Sequence, residues 1–372
     1  MSILYCSYSQ VPSKTANSLA VMKMSHALSL LKPFRLLAVN GDRHIEHEEI
    51  WSYYGVGRFP MQLVPRQVLL FNDLPLACLS ALYARLLRPK ACYVRSIAAA
   101  TLLAKLGYPV IFELHQIEQN HPRFDAYFRN SLRELLISPQ QSKVICISEY
   151  LKQECLRFGF ADRQLIVLPS GCDTPCEAGA GERHEARRKL GVDLAKPLIA
   201  YIGSLQHGKG LATMIRVMRM RPDYRFLIVG SAEEQLREKL HKIGERFPDN
   251  LIYRPHMPPG SVRELLIAAD VCLMPYSEHT ALKFHSPLKL FESFSSGVPV
   301  IISNVLGYKE IVQHRYNGMF AQPDNPSSFA EAIDEIVSNP ELGKDLSRSA
   351  LKTAGLYTWQ QRAQKIIDLV YG

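Results

Sequence analysis

A chain of 372 residues exceeds the size at which one hydrophobic core keeps growing, so two domains of roughly 150–200 residues are expected. Hydrophobic residues make up 47% and charged residues 21%, ordinary globular usage that excludes a largely disordered chain. The formal charge of +9 is concentrated in the first half, where residues 1–170 carry 19 Lys and Arg against 12 Asp and Glu. That excess suits either an acidic partner such as an anionic membrane surface or a solvated basic face. With no recognition-helix signature, zinc finger or basic stripe interleaved with aromatics, nucleic acid is not expected as a partner.

The opening MSILYCSYSQVPSK runs straight into an apolar segment without a basic region or small-residue cleavage site, and no stretch reaches 18 uninterrupted apolar residues. A cytoplasmic protein is therefore expected, with the inner face of the membrane as a location the basic half would suit. The eight cysteines lie mostly in apolar contexts and not in a disulfide framework, and read as reduced thiols. Cys172 and Cys176 form a Cys-x3-Cys pair, but without a second pair or a nearby His pair they do not make a zinc site.

Apolar runs of four to seven residues alternate with segments of helical periodicity, the pattern of parallel strands joined by helices. In the first half strands are predicted at Ile3–Ser7, Leu36–Asn40, Gln67–Phe71, Cys92–Arg95, Val110–Leu114, Lys143–Ile147 and Leu165–Leu168, with the clearest helices at Ser18–Leu31 and Glu149–Phe158. A polar, small-residue stretch from Gly171 to Arg183 breaks the pattern and reads as an interdomain connection. The alternation then restarts. Strands are predicted at Leu198–Ile202, Arg225–Val229, Leu251–Tyr253, Val271–Met274, Val298–Ile302 and Gly318–Phe320, and helices at Leu211–Met218, Glu233–Glu245, Ser261–Ala268, Leu288–Ser295 and Pro326–Val337. A last amphipathic helix follows Thr358, a suitable N-cap. Two doubly wound α/β domains follow, with a cleft between them as the default ligand site.

Two segments carry chemistry. In His285-Ser-Pro-Leu-Lys-Leu-Phe-Glu-Ser-Phe, Pro287 suits the first turn of a helix, which leaves the N–H groups of Leu288 and Lys289 free at its positive end for a diphosphate. Glu292, about one turn later, can accept hydrogen bonds from the two adjacent hydroxyls of a ribose; the bland alternative is a capped surface helix with an exposed Glu. In Leu198-Ile-Ala-Tyr-Ile-Gly-Ser-Leu-Gln-His-Gly-Lys-Gly-Leu, a glycine-punctuated turn after a strand lets backbone approach a phosphate, and Lys209 would add a compact positive charge. The spacing lacks the Ser or Thr of a Walker A loop and decides little by itself.

The joint order of these elements, with Phe226-Leu-Ile-Val-Gly between them and Ala269-Asp-Val-Cys-Leu-Met-Pro before the glutamate helix, resembles glycosyltransferase family 4. The first half adds Val11-Pro-Ser-Lys-Thr-Ala-Asn-Ser, Phe112-Glu-Leu-His, Cys146-Ile-Ser-Glu-Tyr-Leu and Val167-Leu-Pro-Ser-Gly-Cys-Asp, and the resemblance extends to the terminal Tyr357-Thr-Trp helix. It implies an α/β GT-B fold of two Rossmann-like domains: residues 1–172 with 356–372 for the acceptor, and 173–355 for the nucleotide sugar. It also implies a retaining, metal-independent transfer from a UDP- or GDP-sugar to a saccharide or lipid-linked acceptor, in cell-surface polysaccharide or glycoconjugate biosynthesis. By that likeness Glu292 binds ribose, Lys209 neutralises the leaving diphosphate, Gly203 lets backbone close on it, and Ser286, Pro287, Leu288 and Lys289 complete the cradle. His256 lies where backbone atoms would meet the base. His115 faces the donor sugar with Glu113 on the same side of its strand, and Lys14 and Asn17 lie on the acceptor side.

Two departures stand out. Phe284 occupies the position of the family's first glutamate, and Ser204 the position where an arginine is common. A sugar-nucleotide epimerase or hydrolase, or a catalytically silent nucleotide-binding module, would share the ribose glutamate and the diphosphate cradle.

Overall fold

The computed structural model describes residues 2–41, 45–65, 74–117, 122–137, 142–206, 208–230, 232–278 and 286–371. The chain forms two compact units, one of Met1–Ser170, Phe284–Ser286 and Trp359–Gly372, the other of Gly171–Lys283 and Pro287–Thr358.

The first unit alternates strand and helix: β1 (Ile3–Val11), α1 (Ala16–Leu31), β2 (Phe34–Asn40), α2 (Ile50–Tyr54), β3 (Met61–Val64), α3 (Leu74–Leu87), β4 (Ala91–Val94), α4 (Ile97–Lys105), β5 (Val110–Leu114), α5 (Pro122–Leu136), β6 (Lys143–Cys146), α6 (Glu149–Phe158) and β7 (Leu165–Val167). Its seven strands run parallel in the order β3-β2-β1-β4-β5-β6-β7. The inner strands are buried along their whole length, as ACYV in β4 and VIFEL in β5. Helices on both faces of a parallel sheet leave no solvent side, so the apolar runs are continuous and do not alternate. Short polar side chains start the helices: the hydroxyls of Thr15, Ser96 and Ser148 each accept an amide from the first turn of α1, α4 and α6.

In the second unit the order along the chain is α7 (Ala180–Leu190), β8 (Leu198–Gly203), α8 (Leu211–Met220), β9 (Arg225–Gly230), α9 (Glu233–Lys242), β10 (Leu251–Pro255), α10 (Val262–Ala268), β11 (Val271–Met274), α11 (Leu288–Ser295), β12 (Val300–Ser303), β13 (Met319–Ala321), α12 (Pro326–Ser338) and α13 (Pro340–Ala354). Six parallel strands lie in the order β10-β9-β8-β11-β12-β13. Asp270 fixes the start of the central pair, accepting the Leu198 amide at 2.7 Å and the Arg187 guanidinium at 2.5 Å. The closing helix α14 (Trp359–Tyr371) belongs to the first unit, where it packs along α1.

The two parallel-sheet Rossmann-like units are the expected fold class. Three details depart from the sequence reading. The strand expected at Gln67–Phe71 lies outside the described residues, and the edge strand next to β2 is Met61–Val64, whose MQLV is too short and too polar to announce itself. The connection expected to run to Arg183 ends earlier, because α7 starts at Ala180; Glu182 reaches back to the Gly179 amide and stabilises that first turn. Pro287 stands at the N-cap of α11 and not inside its first turn, with φ −72° and ψ 124°.

In both sheets the strand order reverses once, between β1 and β4 in the first and between β8 and β11 in the second. Neighbouring crossovers leave to opposite faces at such a point, which opens a crevice beyond the strands' carboxyl ends. All eight cysteines are free thiols, with only Cys78 and Cys176 exposed. Among the described residues no group of three or more His, Cys, Asp or Glu is placed to hold a metal ion.

Candidate active site

The second unit's crevice is built by the segments that follow β8 and β11. β8 ends at Gly203, whose φ of +143° suits only glycine, and the chain then turns through Gly208 and Gly210 into α8. Gly210 is also sterically required: at φ +76°, a side-chain carbon there would lie 1.7 Å from the Pro275 carbonyl oxygen. The Ser277 amide donates to the Gly208 carbonyl at 3.0 Å, so the turn after β8 is tied to the segment after β11.

This close packing brings two lysines together. Lys209 Nζ lies 4.7 Å from the centroid of the Tyr276 ring, and Lys289 Nζ lies 5.1 Å from the same ring and 4.1 Å from that of Tyr201. All three contacts are within cation–π range. The Tyr201 hydroxyl donates to the Ser204 carbonyl at 2.6 Å, which holds that ring across the mouth of the turn. Lys289 Nζ also lies 3.0 Å from where a side-chain carbon on Gly203 would stand, so the missing side chain at 203 is what leaves room for the ammonium.

Neither lysine forms an ion pair among the described residues, and Lys289 Nζ is buried with no hydrogen-bond acceptor. Burial, helped by the positive charge of Lys209, pulls the Lys289 ammonium down to about 7, and burial also lowers Lys209. A buried amine beside a half-buried one, with no carboxylate paired to either among the described residues, is costly and is the arrangement a dianionic ligand relieves.

Lys289 is delivered by the first turn of α11. Leu290, Phe291 and Phe294 are almost fully buried in the unit's core and fix the helix, each contributing roughly 1.5–3 kcal/mol. Because Pro287 offers no side-chain cap, the first amide engaged in the turn is that of Leu290, donating to the Pro287 carbonyl at 3.1 Å, while the Leu288 and Lys289 amides precede it at the positive end. Glu292, half-buried, follows one turn later. His256 is half-buried just beyond β10, the edge strand, with β9 between it and β8; two strand spacings separate it from the line of β8 by about 10 Å. Ser286 groups with the first unit, where its hydroxyl accepts the Ser170 amide at 2.9 Å and its carbonyl accepts the Ser170 hydroxyl at 2.8 Å. Its side chain is thereby engaged in holding the chain crossing. Phe284 and His285, which precede it, lie outside the described residues.

In the first unit, His115 follows β5 directly and its side chain is 40% exposed. Its Nε2 lies 2.8 Å from Glu113 Oε1 and 2.6 Å from Nη2 of Arg95, which stands at the carboxyl end of β4. Two proton arrangements compete for that nitrogen: bare, it accepts from Arg95; protonated, it donates to Glu113. Burial of the ring's inner edge and the adjacent Arg95 charge lower the imidazole, favouring the neutral form. Glu113, 5% exposed, accepts Arg362 Nη2 through Oε2 at 3.0 Å. Burial alone would raise its carboxyl, but Arg362 and His115 outweigh it and hold it at about 2. Glu113, expected on the acceptor side, has both its oxygens engaged by His115, Arg95 and Arg362. Lys14 is exposed in the loop after β1, and Asn17 donates to the Ser9 hydroxyl at 2.7 Å, bracing α1 against β1.

Five participants escaped the sequence reading. The Lys289 side chain was passed over in favour of its amide, although a lysine inside the buried run PLKLF was a signal. Tyr201 and Tyr276 interrupt otherwise aliphatic strand ends, and Arg95 and Arg362 are buried charges in apolar surroundings that only the fold reveals.

Comparison with known proteins agrees with this layout. The family model described as Glycosyltransferase Family 4 matches residues 32–175, and that described as Glycosyl transferases group 1 matches residues 182–353. Among curated relatives, an uncharacterized glycosyltransferase of Methanocaldococcus jannaschii is 26% identical over 63% of this chain and 61% of its own length. A D-inositol 3-phosphate glycosyltransferase of Segniliparus rotundus is 28% identical over 71% of this chain and 61% of its own. The chain thus spans about three fifths of the length of these relatives. Among solved structures, Anabaena HepE in complex with UDP superposes with a TM-score of 0.79 at 16% identity, covering 100% of this chain and 99% of that one, a likeness of fold. Matched in its first part by one of these models and in its second by the other, the chain belongs to the group 1 and Family 4 glycosyltransferases.

Proposed function

We propose that this protein transfers a sugar, with retention of anomeric configuration, from a nucleoside diphosphate sugar to a saccharide or lipid-linked acceptor. The observation that carries the reading is the convergence, at the second sheet's switch point, of Lys209, Gly203 and the amino end of α11 around two unpaired amines. That is a receptor for a pyrophosphate. Glu292 is positioned one helical turn on to take the ribose hydroxyls, and His256, near the sheet edge, to lie by the base. UDP and UDP-glucose, bound in the Anabaena neighbour, make a UDP-sugar the first donor to test.

In the reaction the sugar's C1–O bond to the diphosphate breaks as the acceptor hydroxyl attacks from the same face. The acceptor's proton passes to a leaving-phosphate oxygen. Lys209 and the α11 amides stabilise the charge that builds on the diphosphate, a contribution made in the transition state and therefore expressed in turnover. Charge neutralisation by side chains and a helix end takes the part a divalent ion plays in other transferases. The neutral imidazole of His115, held by Glu113, meets the transferring sugar, and Lys14 meets the acceptor. Membrane association is part of the same proposal: α3 exposes Leu74, Leu82 and Leu86 at helical spacing beside Arg85, a pattern suited to an anionic lipid surface.

The test is a panel of nucleotide sugars with product analysis, run on the wild type and on Lys209→Ala. A new glycoside formed by the wild type, with turnover lost by about 100-fold or more in the variant, is expected. A product that is only an epimerised or hydrolysed nucleotide sugar, or full turnover in Lys209→Ala, would overturn the assignment.

A further inference from the structure

The mechanism above uses the Lys289 backbone and leaves its side chain without a task, although that side chain is the more unusual group. Its ammonium is buried, has no acceptor among the described residues and stands between two aromatic faces, with the Gly203 turn beside it. A lysine buried for structural reasons is normally paired with a carboxylate or capped by carbonyls, since an isolated buried charge costs too much. Here Lys209 contacts the same Tyr276 ring, and its charge makes the cost greater. Ser204, next along the turn, is exposed and uncharged, so without Lys289 a pyrophosphate in this crevice would meet a single side-chain cation.

We propose that Lys289 is the second cationic ligand of the donor's pyrophosphate, its Nζ and that of Lys209 clamping the two phosphates across the Gly203 turn. The inference rests on the donor-site reading given above and adds to it a residue and a direction of charge flow. Tyr201 and Tyr276 hold the ammonium in place before the ligand arrives, and the missing side chain at Gly203 leaves it room beside the turn, 3.0 Å from where a side-chain carbon would stand. No covalent step is involved.

The clamp has a signature that a purely structural lysine lacks. The ammonium sits at about 7 in the free protein, so above neutral pH much of it is unprotonated; a pyrophosphate on it favours the charged form, and the site takes up a proton on binding. The experiment is isothermal titration of UDP and of GDP at pH 8, in two buffers of different ionisation enthalpy. It uses the wild type, Lys289→Met, Lys289→Arg and Lys209→Ala, with circular dichroism as the check of folding. For the wild type the expected uptake approaches one proton per nucleotide bound. Lys289→Met should bind roughly 10- to 100-fold more weakly with no uptake, the loss of one buried charge-assisted contact. Lys209→Ala should weaken binding and keep a reduced uptake, because burial still lowers the Lys289 amine once the Lys209 charge is gone, and Lys289→Arg, always charged, should show none. Equal affinity and equal uptake in wild type and Lys289→Met would overturn the role of Lys289 while leaving the donor site standing. Failure of the folded wild type to bind either nucleotide would overturn the donor site itself, and this inference with it.

Discussion

Removing the Lys289 charge should make the empty protein more stable. In the unfolded chain the amine has the ordinary value of 10.5, and in the folded chain about 7. A lowered value means that the unfolded state holds the extra proton between those two limits, so stability rises with pH from about 7 to about 10.5. The penalty is full below pH 7, about 4–5 kcal/mol, falls to about 2 kcal/mol at pH 9 and vanishes near pH 10.5. Lys289→Met keeps the contacts to Tyr201 and Tyr276 through its stem and sulfur but forfeits the cation–π attraction, worth about 1 kcal/mol per ring. The net gain expected at pH 7 is therefore about 2–3 kcal/mol. Urea unfolding of both proteins without nucleotide, from pH 6.5 to 10, measures it. The two stability curves should converge as the pH climbs. A wild type more stable than the variant at pH 7, or a gap that does not change with pH, would refute the reasoning, because either result requires an acceptor for Nζ in the folded state.

Two further outcomes follow from other parts of the structure. Arg362→Met strips Glu113 of the partner that holds its buried carboxyl at about 2 and should cost about 3–5 kcal/mol at pH 7; adding Glu113→Gln should recover much of that in a double-mutant cycle, and strict additivity would show that the two do not act together. The Glu113 stabilisation is present above pH 4.5 and lost as the pH falls towards 2, so the Arg362→Met variant should also lose that part of the acid dependence. On the surface, the exposed apolar stripe of α3 should carry the protein to anionic vesicles in a flotation assay, and Leu82→Glu with Leu86→Glu should abolish it; indifference of the wild type to vesicle charge would leave the basic first half a solvated face.

How much of this could be read in advance depended on whether a residue's environment was local. The strands Val110–Leu114 and Val271–Met274 and the helices Glu149–Phe158 and Leu288–Ser295 begin and end where the sequence places them, because each has a cap, a glycine or a dense apolar run at its own boundary. β3 is a four-residue edge strand whose identity comes from pairing with β2, a long-range contact that MQLV does not encode. The start of α7 was hidden because Gly179 and Gly181, of low helix propensity, lie on either side of it, and it is set by one side chain, Glu182, reaching back to Gly179. No helix among the described residues is long and apolar enough to cross a membrane.

The site divides along the same line, and the division explains why its charge was undercounted. Gly203, Lys209 and the amino end of α11 are features of single segments: a turn after a strand, a proline before a helix. Their order and spacing are legible in the sequence alone. Lys289 was also in plain view, but a lysine at the start of a helix is ordinarily solvated, and nothing in PLKLFESF says that its stem folds back under Gly203 to lie between rings from β8 and the end of β11. That path exists only because β8 and β11 are neighbours in the sheet though about seventy residues apart in the chain. The absence of an arginine at Ser204 looked, in sequence, like a missing charge. On the proposed reading the charge comes from another segment: a lysine reaching the turn from α11 would keep two cations at the site, with a group able to release its proton when the diphosphate leaves. An arginine at 204 could not do that, since its guanidinium stays protonated at every physiological pH; the relocation therefore exchanges a permanent charge for one that the ligand itself calls up.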